Sequence, residues 1–542
     1  MTPPADHARA ADQLARRLAE AGCSWAFGIP GGEVLTLIDA LEAAGIRFVT
    51  AKHETAAGFM AEGVWQRTGT PPVLVATVGP GLSNATNAVV NAALDRVPLI
   101  VLAGSVDADD ALTYNHQIFD HARLLEPAIK GAFTLTTTAA DLITEKALAL
   151  AGDPRPGPVL IDVPIAVAAA EAAPAAGLRR QRPAAAGPAE GEALDRVRGW
   201  LKEARQPLLI VGFDAVADDA GRALREFAQS FRVPVVQTYK AKGLLPEDHP
   251  LALGAAALSP AADERIMPLI EQADLVILAG YDAIEMRRSW QQPWDPSTKR
   301  VVALEAVPND HYLHQATVSF VGDVGAGLRA IGRGVAPAST WTEEAVRAAR
   351  ASILEPFATD ETWGPSAVVD VARRVLPRET VATADVGAHR IVLSQVWPAF
   401  EPRGLLQSNG LCTMGCGLPL GIGAKLAAPD RPVVVFTGDG GLLMVLGELA
   451  TAVEQGLPVI VVCFVDQSLA LIDVKQQDRE LARKGVGVGR FDVVRIAEGL
   501  GGKGIVAADR DSLARALETA LEAPTFTLIA CPIVADSYKG RV

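Results

Sequence analysis

Two aspartates stand where carboxylates could work as a pair. Asp439 follows an apolar run in "VVVFTGDGGLLM", and Asp466 follows another in "PVIVVCFVDQSLALI". A continuously apolar, β-branched run reads as a strand buried on both faces of a parallel sheet. Between them, "GELATAVEQG" reads as a helix. Strand, helix and strand form a parallel βαβ unit, which returns both tips to one sheet edge. Carboxylates at neighbouring tips repel one another unless a cation lies between them. Mg²⁺ takes hard oxygen ligands, typically one or two carboxylates plus phosphate oxygens. Gly438, Gly440 and Gly441 permit a tight turn and close approach of backbone N–H groups to a ligand. The pair therefore points to Mg²⁺ holding a diphosphate, with Asp439, Asp466 and the backbone carbonyl of Ser468 as ligands. Taken alone, the glycine-rich stretch reads equally well as a plain βα turn with aspartate as N-cap.

The elements that must position this pair repeat along the chain. Runs such as "PVLVATV", "PLIVLAG", "PLLIVG" and "DLVILAG" alternate with helical patterns. That alternation predicts an α/β protein built from open, mostly parallel sheets flanked by helices. At 542 residues the chain is too long for one ordinary domain. Residues 167–193, rich in Ala, Pro and Gly, read as a linker, and 335–365 read as a second connector containing a helix. Three domains follow: 1–166, 190–334 and 362–542. Ligands of such sheets bind beyond the carboxyl ends of the strands.

Composition excludes several classes. The net charge of −13, with acid and base interleaved, offers no basic patch for nucleic acid and no attraction to an anionic membrane. The apolar runs are strand-length, short of the roughly 20 residues of a membrane span. The first residues are amphipathic and charged, unlike a signal sequence. The five cysteines form no CxxC pair and read as reduced thiols, so a cytoplasmic protein is expected.

The ordered motifs resemble those of thiamine diphosphate (ThDP) enzymes of the acetolactate synthase and benzoylformate decarboxylase superfamily. "GDG" followed by a polar pair at the next strand end is similar to the ThDP signature. This chain has Asp466 where asparagine is common. "FGIPGGEVLTLIDAL" (27–41), "KHETAAGFMAEG" (52–63), "ATVGPGLSNATNAV" (76–89) and "NHQIFDHARLLEPAIK" (115–130) resemble the family's pyrimidine-binding (PYR) domain. "NGLCTMGCGLP" (409–419) and "DVGAHR" (385–390) resemble its diphosphate-binding (PP) domain. The implied order is PYR, central, PP.

The resemblance implies roles residue by residue. Glu54 would bond N1′ of the aminopyrimidine, and Gln117 would face a substrate oxygen or alkoxide. Met414 would wedge the two cofactor rings into a bent form, and Cys412 would contact the cofactor beside it. Pro30, Thr77 and Asn84 would add cofactor contacts from the PYR domain. Gly387, Ala388 and His389 would approach the diphosphate, along with Gly438 to Gly441. Leu469 and Ala470 would complete the cofactor site, and Gly31, Gln117, Leu471 and Lys475 would face substrate.

Acetolactate synthase is the nearest resemblance, through "AGYDAIEMRRSW" (279–290), "SLALIDVKQ" (468–476) and "GRFDVVRIAEGLGGKG" (489–504). These segments are similar to the catabolic branch, so no FAD is expected. The implied reaction decarboxylates pyruvate and joins the two-carbon unit to a second 2-oxo acid. A decarboxylase or lyase of the same superfamily, releasing an aldehyde, and a carboligase with another acceptor are the alternatives. Two positions depart from the branch: Glu33, where lysine is common, and Lys475, where an aromatic residue is common. The family's two half-sites come from different subunits, which implies a homodimer or homotetramer.

Overall fold

The computed structural model describes residues 8–173, 178–180, 184–286, 290 and 292–542. Parts of the linker 167–193 and of the segment 279–290 lie outside the described residues. Eighteen strands form three six-stranded sheets, and every pairing is parallel.

The first sheet holds β1 (Trp25–Gly28), β2 (Arg47–Thr50), β3 (Val73–Ala76), β4 (Ile100–Ser105), β5 (Ala132–Thr134) and β6 (Val159–Pro164). The second holds β7 (Pro207–Val211), β8 (Val235–Thr238), β9 (Ala252–Ala256), β10 (Leu275–Ala279), β11 (Val301–Glu305) and β12 (Val318–Val321). The third holds β13 (Val381–Ala384), β14 (Leu405–Gln407), β15 (Val433–Gly438), β16 (Ile460–Val465), β17 (Lys503–Val506) and β18 (Thr527–Pro532). The central strands β3, β7 and β10 are buried along their whole length, as their apolar runs require. The connector 335–365 carries the helix Glu343–Leu354.

The first and third sheets share one topology, β2-β1-β3-β4-β6-β5 and β14-β13-β15-β16-β18-β17. The order reverses between β1 and β3, and again between β13 and β15. The second sheet, β9-β8-β7-β10-β11-β12, has the order of dinucleotide-binding folds and reverses between β7 and β10. Ligands bind in the crevice at such a reversal, outside the carboxyl ends of the strands.

The outer domains pack on each other through the helices Glu54–Thr68 and Gly417–Ala427. Glycine makes this approach possible. A Cβ at Gly63 would lie 2.3 Å from the Leu420 carbonyl oxygen, and one at Gly423 would lie 2.0 Å from that of Met60. A buried polar junction ties in the second domain. Lys240 Nζ lies 3.1 Å from Asp95, which also accepts the Gly410 N–H at 2.8 Å. Burial pushes the carboxyls of Glu62 and Glu285, at the same junction, up to about 7. Among the described residues, no helix is long and apolar enough to cross a membrane.

Candidate active site

A cavity of about 220 Å³ opens where the third sheet reverses. Its walls come from the segments after β13, β15 and β16. They contribute Gly387 to His389, Gly438 to Gly441, and Asp466 with Ser468 to Ile472. Cys412 and Met414 close one side and Tyr538 another. The register pairs Gly438 with Phe464, so Asp439 sits level with Val465, one residue short of Asp466. The βαβ unit thus delivers both carboxylates to one edge.

Backbone amides aim the two carboxylates. Asp439 accepts the N–H of Gly440 at 2.8 Å and that of Gln467 at 2.7 Å. Asp466 accepts the N–H of Ser468 at 2.9 Å. Burial, and then the charge of Asp439, pushes the Asp466 carboxyl up to about 7; burial also raises that of Asp439. Two desolvated carboxylates in one cavity are costly until a cation joins them. No cluster of three His, Cys, Asp or Glu side chains that could hold a metal occurs among the described residues. The chemistry of two carboxylates fits Mg²⁺, which would complete its shell with phosphate and water oxygens.

The rest of the cavity fits a diphosphate cofactor. His389 is 4% exposed, stacks on Phe464 at 5.3 Å, and leaves Nε2 buried without a hydrogen-bond partner. Burial, aided by Arg390, depresses its pKa to about 3, so the ring is neutral. A phosphate oxygen would supply the missing partner. Met414 reaches the same space: a Cβ at Gly440 would come within 3.6 Å of its Cε. Only glycine fits at Gly441, where a Cβ would lie 2.0 Å from Asp385 Oδ2.

Asp385 is a residue that the motifs did not single out. It is fully buried and accepts the Thr437 hydroxyl at 2.8 Å and the Gly415 N–H at 2.7 Å. It thereby ties the segment after β13 to the end of β15 and to the loop carrying Met414. Its sequence signal was its place directly after β13, beside Gly387. Ile472 and Tyr538 also line the cavity and were not singled out either.

The PYR-domain residues gather elsewhere, at the reversal of the first sheet. Pro30 and Gly31 follow β1, and Thr77 follows β3. A Cβ at Gly31 would meet Thr77 Cγ2 at 2.5 Å and Glu33 Oε2 at 3.0 Å. The Glu33 carboxylate has no hydrogen bond or ion pair among the described residues. Glu54 opens the helix Glu54–Thr68, is 6% exposed, and accepts the Asn84 side-chain N–H at 3.1 Å. Gln117, exposed and at φ +61°, rests against Gly79, whose added Cβ would lie 2.7 Å from its own. None of these residues lines the PP-domain cavity. Lys475 does not line it either. It is exposed on the helix Ala470–Asp478, one turn beyond Leu471.

A cross-domain clamp holds the junction before Glu54. Glu448, 1% exposed on the helix Glu448–Glu454, accepts the Lys52 N–H at 2.9 Å and the Thr451 hydroxyl at 2.8 Å. Lys52 Nζ also pairs with Glu454 at 2.6 Å. Glu448→Ala is expected to lower stability by about 1–3 kcal/mol, because the buried Thr451 hydroxyl and the part-buried Lys52 N–H lose their acceptor. Glu448→Gln keeps a carbonyl there and should restore most of the loss. Denaturant melts of the two variants measure the difference.

Comparison with known proteins bears on the family and on the order of the domains. Three thiamine pyrophosphate enzyme models match in order: the N-terminal TPP binding domain over residues 8–124, the central domain over 194–331, and the C-terminal TPP binding domain over 385–531. The acetolactate synthase isozyme 1 large subunit of Escherichia coli is 31% identical over 508 residues, covering 91% of this chain and 88% of that protein. The chain belongs to the ThDP enzymes of the acetolactate synthase superfamily. The acetolactate synthase of Bacillus subtilis is 28% identical over 97% of this chain and 93% of its own length. A probable 2-ketoarginine decarboxylase of Pseudomonas aeruginosa is 33% identical over 85% of this chain and 83% of its own. As a ThDP enzyme of this superfamily, the protein is of the transferase or lyase kind.

Proposed function

We propose that the protein is a Mg²⁺-dependent carboligase of 2-oxo acids. It decarboxylates pyruvate and joins the two-carbon unit to a second 2-oxo acid. The observation that carries this reading is the cavity at the third sheet's reversal, which gathers Asp439, Asp466, His389 and Met414. ThDP bound there supplies an electron sink for the decarboxylation. Asp439, Asp466 and the Ser468 carbonyl would hold Mg²⁺, which would neutralise the charge of the diphosphate. Leu469, Leu471 and Ile472 give the cavity an apolar wall where the reacting carbons would lie.

Glu54 would hold or release a proton at N1′ of the bound cofactor's aminopyrimidine ring. Gln117 donates its amide N–H to the oxygen that gains charge. Both stand outside the cavity of their own chain, so a second copy brings them to it. The working unit in this reading is a homodimer or a pair of dimers, with the active site at the interface. No FAD is required in this reading.

A decarboxylase that releases an aldehyde is the second reading. The Pseudomonas relative favours it, as does Glu33, an unpaired carboxylate beside Gly31 that would welcome a cationic side chain. Incubation with ThDP, Mg²⁺ and pyruvate tests the choice, with 2-oxobutyrate and 5-guanidino-2-oxopentanoate as further substrates. Acetolactate, read as acetoin after acid, supports the carboligase. Free aldehyde as the main product replaces it with the decarboxylase.

A further inference from the structure

Tyr538 is buried at the cofactor cavity and has no partner for its hydroxyl. It ends a short turn of helix, Ala535–Tyr538, that packs on the helix Ala470–Asp478. The ring is 1% exposed and lines the same cavity as Asp439, Asp466 and Met414. The hydroxyl is sealed from solvent and makes no hydrogen bond among the described residues. A buried, unpaired hydroxyl is costly and rare, and it calls for an explanation at each occurrence.

The surroundings indicate what it awaits. The Asp466 carboxylate accepts from backbone N–H groups, that of Ser468 at 2.9 Å, and no side chain among the described residues donates to it. After burial itself, the negative charges of Asp466 and then Asp439 act most strongly on the phenol. A phenol is both donor and acceptor, and a carboxylate is acceptor only. The tyrosine is also held in place. Arg541 donates to the Ser366 hydroxyl at 3.0 Å and pairs with Glu361 at 2.6 Å. This fixes the segment after Tyr538 to the helix Pro365–Val375, which precedes β13.

We infer that Tyr538 is a positioning residue for the metal site, its hydroxyl donating to the Asp466 carboxylate when Mg²⁺ and ThDP are bound. The inference rests on the proposed Mg²⁺ site. The bond holds Asp466 in one rotamer, so the metal meets a fixed ligand. Charge-assisted bonds of this kind are the stronger ones.

Tyr538→Phe keeps the ring and removes only the hydroxyl. Without cofactor, the variant should melt no lower than the parent, since the lost group had no partner. At saturating ThDP, the Mg²⁺ concentration for half-maximal binding should rise about tenfold, the usual order for one hydrogen bond to a charged group. Equilibrium dialysis of ThDP against a Mg²⁺ series reads this without any turnover. An unchanged Mg²⁺ requirement overturns the inference. So does a lower melt of the cofactor-free variant with its Mg²⁺ requirement intact, which would show plain packing. Asp466→Ala, run alongside, separates the two levels. If that variant binds ThDP like the parent, the metal site itself is wrong. If it fails while Tyr538→Phe binds normally, only the role of Tyr538 falls.

Discussion

Glu54→Gln is expected to fold, to bind ThDP, and to lose turnover by about 10²–10⁴-fold, the range for removing a general acid–base group. The geometry makes the substitution clean. Glutamine has the size of glutamate, and its carbonyl oxygen can still accept the Asn84 N–H that Glu54 Oε2 accepts at 3.1 Å. The clamp of Glu448 on the Lys52 N–H is untouched, because it acts on the backbone two residues earlier. What glutamine cannot do is hold or release a proton at N1′. Turnover at saturating ThDP should therefore fall, while the melting temperature of the protein stays near that of the parent. A variant that keeps more than a tenth of the parent's turnover would remove Glu54 from the chemistry. The same result would take away the reason to bring a second copy's PYR domain to the cavity.

The parts of this molecule that were legible in the sequence are those set by local pattern. The strands after which Asp439 and Asp466 stand are unbroken apolar runs, and the observed β15 and β16 lie within those runs. Their parallel pairing follows from the helical segment between them. Asp385 was harder, because its role comes from partners in two other segments, Thr437 and Gly415. No periodicity reports such a contact. Tyr538 was invisible for the same reason: the packing of one short turn on the helix after β16 brings it to the cavity. Glu448 reads along the chain as an ordinary polar residue at the start of a helix. Its burial against Lys52 appears only when the outer domains meet. Lys475 shows the converse. The residue type invited a substrate role, and Lys475 stands one turn, about 5.4 Å, beyond Leu471 on the same helix face, outside the cavity and exposed in the single chain. The buried charge on that helix is Asp473 instead, paired with Arg483.

Asp466→Ala is expected to lose Mg²⁺-dependent retention of ThDP, by at least the roughly 10–100-fold that removal of an outer partner of a metal ligand costs. Asp439 cannot replace it. Both oxygens of Asp439 already accept backbone N–H groups, which fixes their direction. Alanine also leaves the Ser468 N–H without its acceptor, so the backbone that offers the third ligand loses its anchor. Asp466→Asn should behave differently. The amide oxygen can still accept from Ser468 and still face the metal. Removing one negative charge also relieves the repulsion from Asp439, which acts on Asp466 next after burial and the Ser468 bond. The asparagine variant should therefore need more Mg²⁺ than the parent and far less than the alanine variant. Stripping each protein with EDTA, then titrating Mg²⁺ at fixed ThDP, places the three in that order. If the alanine variant holds ThDP as the parent does, the two aspartates are turn residues and the diphosphate is held by other means. The order parent, asparagine, alanine would instead show that the site needs an oxygen at the tip of β16 more than it needs the charge.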